Sequence, residues 1–160
     1  MKKWGWLVLI TALLLLSACG QGVNAPVTGE GDEDMSNSKW DFSAEVDQHD
    51  THLLVSMIVK NNQETQATID FSSGQKYEIV FIDQDGNEVY RYSDGRMFTM
   101  ALVHESFEPG ETMTFEEEIA LEDIPKGVYT VEVQLVLAAI DGEEWTEDGT
   151  FVQQVEFEVK

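Results

Sequence analysis

Gly127-Val128-Tyr129-Thr130-Val131-Glu132-Val133-Gln134-Leu135-Val136-Leu137 decides the fold of this chain. Tyr129, Val131, Val133, Leu135 and Leu137 alternate with the residues between them. Successive side chains of a β-strand point to opposite faces, so this run buries one face and wets the other. The same period of two continues outward along the chain. Trp40, Phe42, Ala44 and Val46 alternate with Asp41, Ser43, Glu45 and Asp47. Leu53, Val55, Met57 and Val59 form the next inward set, followed by Ala67, Ile69 and Phe71. Tyr77, Ile79 and Phe81 share a face, and Val80 and Ile82 make that strand apolar on both sides. Val89 and Arg91 alternate with Tyr90 and Tyr92. Met113, Phe115 and Ile119 align, with Glu117 as an exception on the same face. Val155, Phe157 and Val159 close the chain. No stretch of the body sustains a 3.6-residue period.

Turn chemistry punctuates these runs. Asn61-Asn62, Ser72-Ser73-Gly74, Asp85-Gly86-Asn87, Asp94-Gly95, Pro109-Gly110, Lys126-Gly127 and Asp141-Gly142 all suit turns. Seven to nine short strands at this spacing predict an all-β, antiparallel, immunoglobulin-like sandwich. The Cys…Trp…Cys signature of antibody domains is missing, since the chain has a single Cys. About 120 residues bury roughly two-thirds of their unfolded surface, enough to fold without a disulfide.

The whole chain has 160 residues, with Lys+Arg 9 and Asp+Glu 31, for a formal net charge of −22. Such a chain repels phosphate backbones, so nucleic acid is not an expected partner. Hydrophobic residues make up 42%, too many for a disordered acidic tail. One Cys excludes an intrachain disulfide and a Cys-rich zinc site.

Several segments carry a family likeness. Phe71-Ser72-Ser73-Gly74-Gln75-Lys76-Tyr77 precedes an apolar strand and the turn Asp83-Gln84-Asp85-Gly86. Glu88-Val89-Tyr90-Arg91-Tyr92-Ser93-Asp94-Gly95-Arg96-Met97-Phe98 follows. Then come Glu108-Pro109-Gly110-Glu111 and Gly127-Val128-Tyr129-Thr130-Val131. In order these make an SGQ-aromatic block, an aromatic-x-aromatic-S-x-G block, a PGE turn and a GxYxV strand. The order resembles the BsuPI family, named for a bacterial intracellular proteinase inhibitor, over about Trp40 to Leu137. The resemblance implies a β-sandwich that binds protein and, in its specific form, inhibits a protease.

The N-terminus reads as an address and an anchor. Lys2 and Lys3 precede the uncharged run Trp4 to Leu16, too short to span a bilayer as a mature helix. Leu16-Ser17-Ala18-Cys19 resembles a bacterial lipobox. That resemblance implies a signal peptide over residues 1–18, removed after diacylglycerol is added to the Cys19 thiol. Two acyl chains hold stably, at about 0.8 kcal/mol per buried CH₂, where one holds only marginally. Residues 19–38 then form a flexible acidic tether with Gly20, Gly22, Gly29, Gly31 and the cluster Glu30, Asp32, Glu33, Asp34. A coil of this length spans roughly 25 Å. The folded domain is expected over residues 39–160, monomeric and held at the cell membrane on the side facing away from the cytoplasm. A protease bound there would itself be secreted or belong to the envelope.

Enzymatic chemistry has no foothold. There is no G-x-S-x-G elbow and no Gly-rich phosphate loop leading from a strand into a helix, and no cofactor is expected. His49 and His52 lie in Asp47-Gln48-His49-Asp50-Thr51-His52, which reads as a polar hairpin turn rather than a metal site. Asp83-Gln84-Asp85-Gly86-Asn87-Glu88 has its Gly fourth, where an EF-hand calcium loop has it sixth, so a hairpin turn is again expected.

Two segments are candidates for binding protein. Arg96-Met97-Phe98 follows Asp94-Gly95, where the chain can turn outward, and Met97 or Phe98 suits a hydrophobic specificity pocket. The opposing reading puts Phe98 in the core and exposes only Arg96. Trp145, among Glu143, Glu144, Glu147 and Asp148, is the alternative loop, either as an exposed aromatic or as a core residue on a hairpin arm. An inhibitor and a non-inhibitory binding module of the envelope both fit these residues.

Overall fold

The computed structural model describes residues 38–146 and 149–160. The signal peptide, Cys19 and nearly all of the tether lie outside the described residues. Eleven antiparallel strands follow one another: β1 Trp40–Gln48, β2 His52–Asn61, β3 Ala67–Phe71, β4 Tyr77–Asp83, β5 Glu88–Arg91, β6 Val103–Phe107, β7 Thr112–Ala120, β8 Gly127–Leu135, β9 Ala139–Ile140, β10 Glu143–Glu144 and β11 Val152–Val159. β9 and β10 are two residues each, so the longer strands fall within the expected range.

Two sheets form the sandwich. One has the order β1-β2-β7 and the other β11-β8-β4-β5. These orders follow the A-B-E and G-F-C arrangement of immunoglobulin-type sandwiches. A third sheet, β10-β9-β3-β6, adds to this pair. One core joins all three. Leu53, Val55, Met57 and Val59 of β2, Ile69 and Phe71 of β3, Ile79 and Phe81 of β4, and Val131 and Val133 of β8 are fully buried. These are the inward positions of the period-two reading. Trp40 of β1 is the large buried indole, packed edge-on to Phe107 of β6 at 5.1 Å.

A further mark of this fold sits at the start of β8. The Tyr129 hydroxyl donates to the carbonyl of Pro125 at 2.7 Å. This is the tyrosine corner of immunoglobulin-like sandwiches.

The turns take the forms their residues dictate. Asp141 and Gly142 have φ of 53° and 79°, positive at both positions, as a tight two-residue hairpin requires. In the Pro109-Gly110 turn, Gly110 has φ 74° and the Glu111 N–H donates to the Glu108 carbonyl. Asn61 ends β2 at the turn expected there, and it is fully buried. Its side-chain amide donates to the carbonyls of Thr65, Phe107 and Glu108, and its Oδ1 accepts the Gln63 N–H. An isolated Asn-Asn pair gives no hint that carbonyls from β6 will converge on it. Leu137 lies past the end of β8, and only packs against the core.

Candidate functional site

After β5 the chain leaves the sheet through a turn over Tyr92–Gly95. Gly95 has φ 70°, a conformation that costs glycine nothing. Arg96-Met97-Phe98 forms the crest beyond it. The Met97 side chain is 98% exposed, and Met100 and Leu102 on the return are 91% and 67% exposed. The residues on either side of Met97 point back to the domain. The Phe98 ring packs on Tyr92 at 5.8 Å, and Tyr92 packs in turn on Tyr77 at 4.8 Å. The Arg96 guanidinium lies 4.0 Å above the Tyr92 ring and donates to Glu117 Oε1 at 2.8 Å. Neither opposing reading of the segment therefore holds whole: Arg96 is exposed yet paired, Phe98 is half-buried, and Met97 alone projects.

Three clamps hold this loop. At its start, the Ser93 N–H donates to Glu78 Oε1 at 3.0 Å. Glu78 is only 6% exposed, and it also accepts the Gln75 side-chain amide and faces Arg91 Nη1 at 3.7 Å. In the middle, Glu117 takes Arg96 on one oxygen and the Tyr77 hydroxyl on the other, the latter at 2.8 Å. Burial pushes the Tyr77 phenol well above its ordinary range, and its hydrogen bonding with Tyr92 and Glu117 adds to that. Tyr77 thus remains a neutral donor. At the end, the Gly74 N–H donates to the Thr99 carbonyl at 2.9 Å. A Cβ on Gly74 would sit 2.7 Å from Thr99 Oγ1, so a larger residue there must displace the Thr99 side chain.

The structure thus brings together two motifs that the sequence shows apart. Ser73 Oγ accepts the Gln75 N–H and shapes the turn that presents Gly74 and Gln75. Those two residues then secure the segment from Ser93 to Thr99. Tyr90 faces Phe81 directly across the β4–β5 pair, with the rings edge to face at 5.7 Å. Glu78 and Glu117 were not singled out as site residues. Glu117 left a signal, a charge on the inward face of an otherwise apolar set. Glu78 left the same kind of signal, a charge on the face it shares with Val80 and Ile82, but its partners Arg91 and Ser93 lie beyond the next turn.

Trp145 is half-buried. Its ring meets Phe151 edge-on at 5.3 Å, and its backbone N–H donates to the Ala138 carbonyl. It lines an open cleft of about 380 Å³ with Lys39, Trp40, Gln63, Glu143 and Glu144. His49 and His52 close the β1–β2 hairpin with stacked rings 4.8 Å apart. Asp83 Oδ1 accepts the N–H groups of Asp85 and Asn87, which makes its loop a hydrogen-bonded turn. The Asn87 side chain and backbone hold the Asp83 carboxyl below its ordinary range. Among the described residues no group of three or more His, Cys, Asp or Glu is placed to hold a metal ion.

The described domain is thus a sandwich with a projecting loop clamped at its start, middle and end. The chain matches the family described as BsuPI, intracellular proteinase inhibitor, over residues 40–140, and belongs to it. The name is that of an inhibitor family rather than of a family of enzymes. No curated protein matches the chain. Among solved structures it is similar to β-glucosidase 3B from Thermotoga neapolitana, at 14% identity and a TM-score of 0.38, covering 75% of this chain and 17% of that one. A structural genomics target named SoR45 is similar at 12% identity and a TM-score of 0.40, covering 76% and 87% of the two chains. A penta-heme cytochrome c552 from Thermochromatium tepidum is similar at 9% identity and a TM-score of 0.38, covering 74% and 37%. The chain thus spans about a sixth of the length of the glucosidase.

Proposed function

We propose that this protein is a lipid-anchored, extracytoplasmic proteinase inhibitor that offers Arg96-Met97-Phe98 to the cleft of a secreted or envelope protease. The observation that carries the reading is Met97, fully exposed between two neighbours that are already fixed. Ordering a side chain at an interface costs about 0.5–1.5 kcal/mol. Arg96 and Phe98 have met that cost in the free protein. Among the described residues, the main-chain groups of Met97 and Phe98 make no hydrogen bond. They are available to pair with a cleft as an added strand. Burying the Met97 side chain in an apolar pocket contributes roughly 1.5–3 kcal/mol.

The anchor rests on Leu16-Ser17-Ala18-Cys19, and lipid on Cys19 would hold the domain near the membrane where exported proteases act. The family description names an intracellular inhibitor, so the export signal implies a different protease from the one behind that name. A second reading, a non-inhibitory binding module of the envelope, has the Trp145 cleft in its favour.

The test is a panel of secreted endoproteases titrated with the purified protein. Subtilisin-like and chymotrypsin-like enzymes, which cleave after large apolar residues, should be inhibited. Enzymes that cleave after Arg or Lys should not. Inhibition confined to the latter would move the contact to Arg96 and overturn the role given to Met97.

A further inference from the structure

We propose that Met97 and Met100 form an oxidant-sensitive site that turns the binding loop off; this rests on the loop's proposed contact role. The two are 98% and 91% exposed, whereas Met57 is fully buried and Met113 packs half-buried on the core. Among the described residues, the exposed large hydrophobics are Met97, Met100, Leu102 and Val128. Three of the four belong to this loop. Its apolar character therefore rests mainly on two thioethers.

The chemistry needs only an oxidant of the peroxide class. A sulfur lone pair attacks one peroxide oxygen and the O–O bond breaks. An S–O bond forms, and the other oxygen leaves as water after proton transfer. The sulfur loses two electrons and the peroxide gains them. The rate is governed by access. A sulfoxide is polar, and in an apolar pocket its oxygen finds no donor. The fold is untouched, because neither side chain is buried. Methionine sulfoxide reductases reverse the change, so the site is a switch rather than a lesion.

The experiment treats the full-length protein with graded hydrogen peroxide and maps oxygen uptake by peptide mass spectrometry. Met97 and Met100 should each gain one oxygen well before Met57, with an unchanged melting temperature. Inhibition should weaken roughly tenfold to hundredfold and return after reductase treatment. A Met97→Leu/Met100→Leu variant, whatever its starting affinity, should no longer respond to peroxide. Oxidation of Met57 at the same rate, or full inhibition by the oxidised protein, would overturn the proposal. A chain that inhibits nothing before treatment contradicts the contact role instead. In that case earlier elution of the oxidised protein from a phenyl resin supports the site, and unchanged elution overturns it.

Discussion

Glu117 accepts the Arg96 guanidinium on one carboxylate oxygen, at 2.8 Å, and the Tyr77 hydroxyl on the other. Its side chain is 15% exposed against 41% for Arg96, so the two partners do not depend on the bond equally. Glu117→Ala leaves the half-buried Tyr77 hydroxyl with Tyr92 as its remaining partner and should cost about 1–2 kcal/mol. Arg96→Ala loses an exposed ion pair and should cost under about 1 kcal/mol. Urea denaturation measures both. Equal costs would mean that Tyr77 finds water in place of Glu117.

Gly74 tests the clamp at the far end of the loop. Gly74→Val places carbon within 2.7 Å of Thr99 Oγ1 and should push the two segments apart. The amide at position 74 should then exchange hydrogen faster, and inhibition should weaken although no crest residue has changed. A protected amide together with full inhibition would show that the loop does not need this contact.

Asn61 tests the scaffold beneath. Its amide satisfies three carbonyls at the join of β2, β6 and the Pro109-Gly110 turn. Asn61→Ala removes the bonds to the Thr65 and Phe107 carbonyls, while Glu108 keeps the Glu111 N–H, and should lower stability by about 1–2 kcal/mol. A loss below about 0.5 kcal/mol would point to ordered water taking over those bonds.

What the sequence made legible follows from the range of each interaction. Alternation and turn chemistry are local, so the buried faces of β2, β3 and β8 and the Asp141-Gly142 hairpin could be read directly. The turn ahead of Arg96-Met97-Phe98 was also legible in Asp94-Gly95, but local sequence does not say which of the three projects. The clamps were not. Glu117 meets Tyr77 across 40 residues of chain and Arg96 across 21, and no local pattern encodes such a meeting. Glu117 did interrupt an apolar set, and an inward charge on a strand needs a partner. The burial of Asn61 was not legible, because only the sheet topology creates it.

The anchor makes its own prediction. Cys19→Ala removes the thiol that would carry diacylglycerol. Radiolabelled fatty acid should then no longer enter the protein, and the domain should leave the membrane fraction. Label still entering the Cys19→Ala protein would place the acylation elsewhere or remove it from the account.

The central claim is that Met97 enters a protease. Met97→Asp is the most direct test, because a side chain that is 98% exposed makes almost no contribution to folding. Inhibition constants and melting temperatures of the substituted and parent proteins are measured side by side. Inhibition should be abolished with a melting temperature within about 1 °C of the parent, as for a surface change of a few tenths of a kcal/mol or less. Unchanged inhibition by the folded Met97→Asp protein would contradict the claim and move the contact to another surface, with the Trp145 cleft next in line.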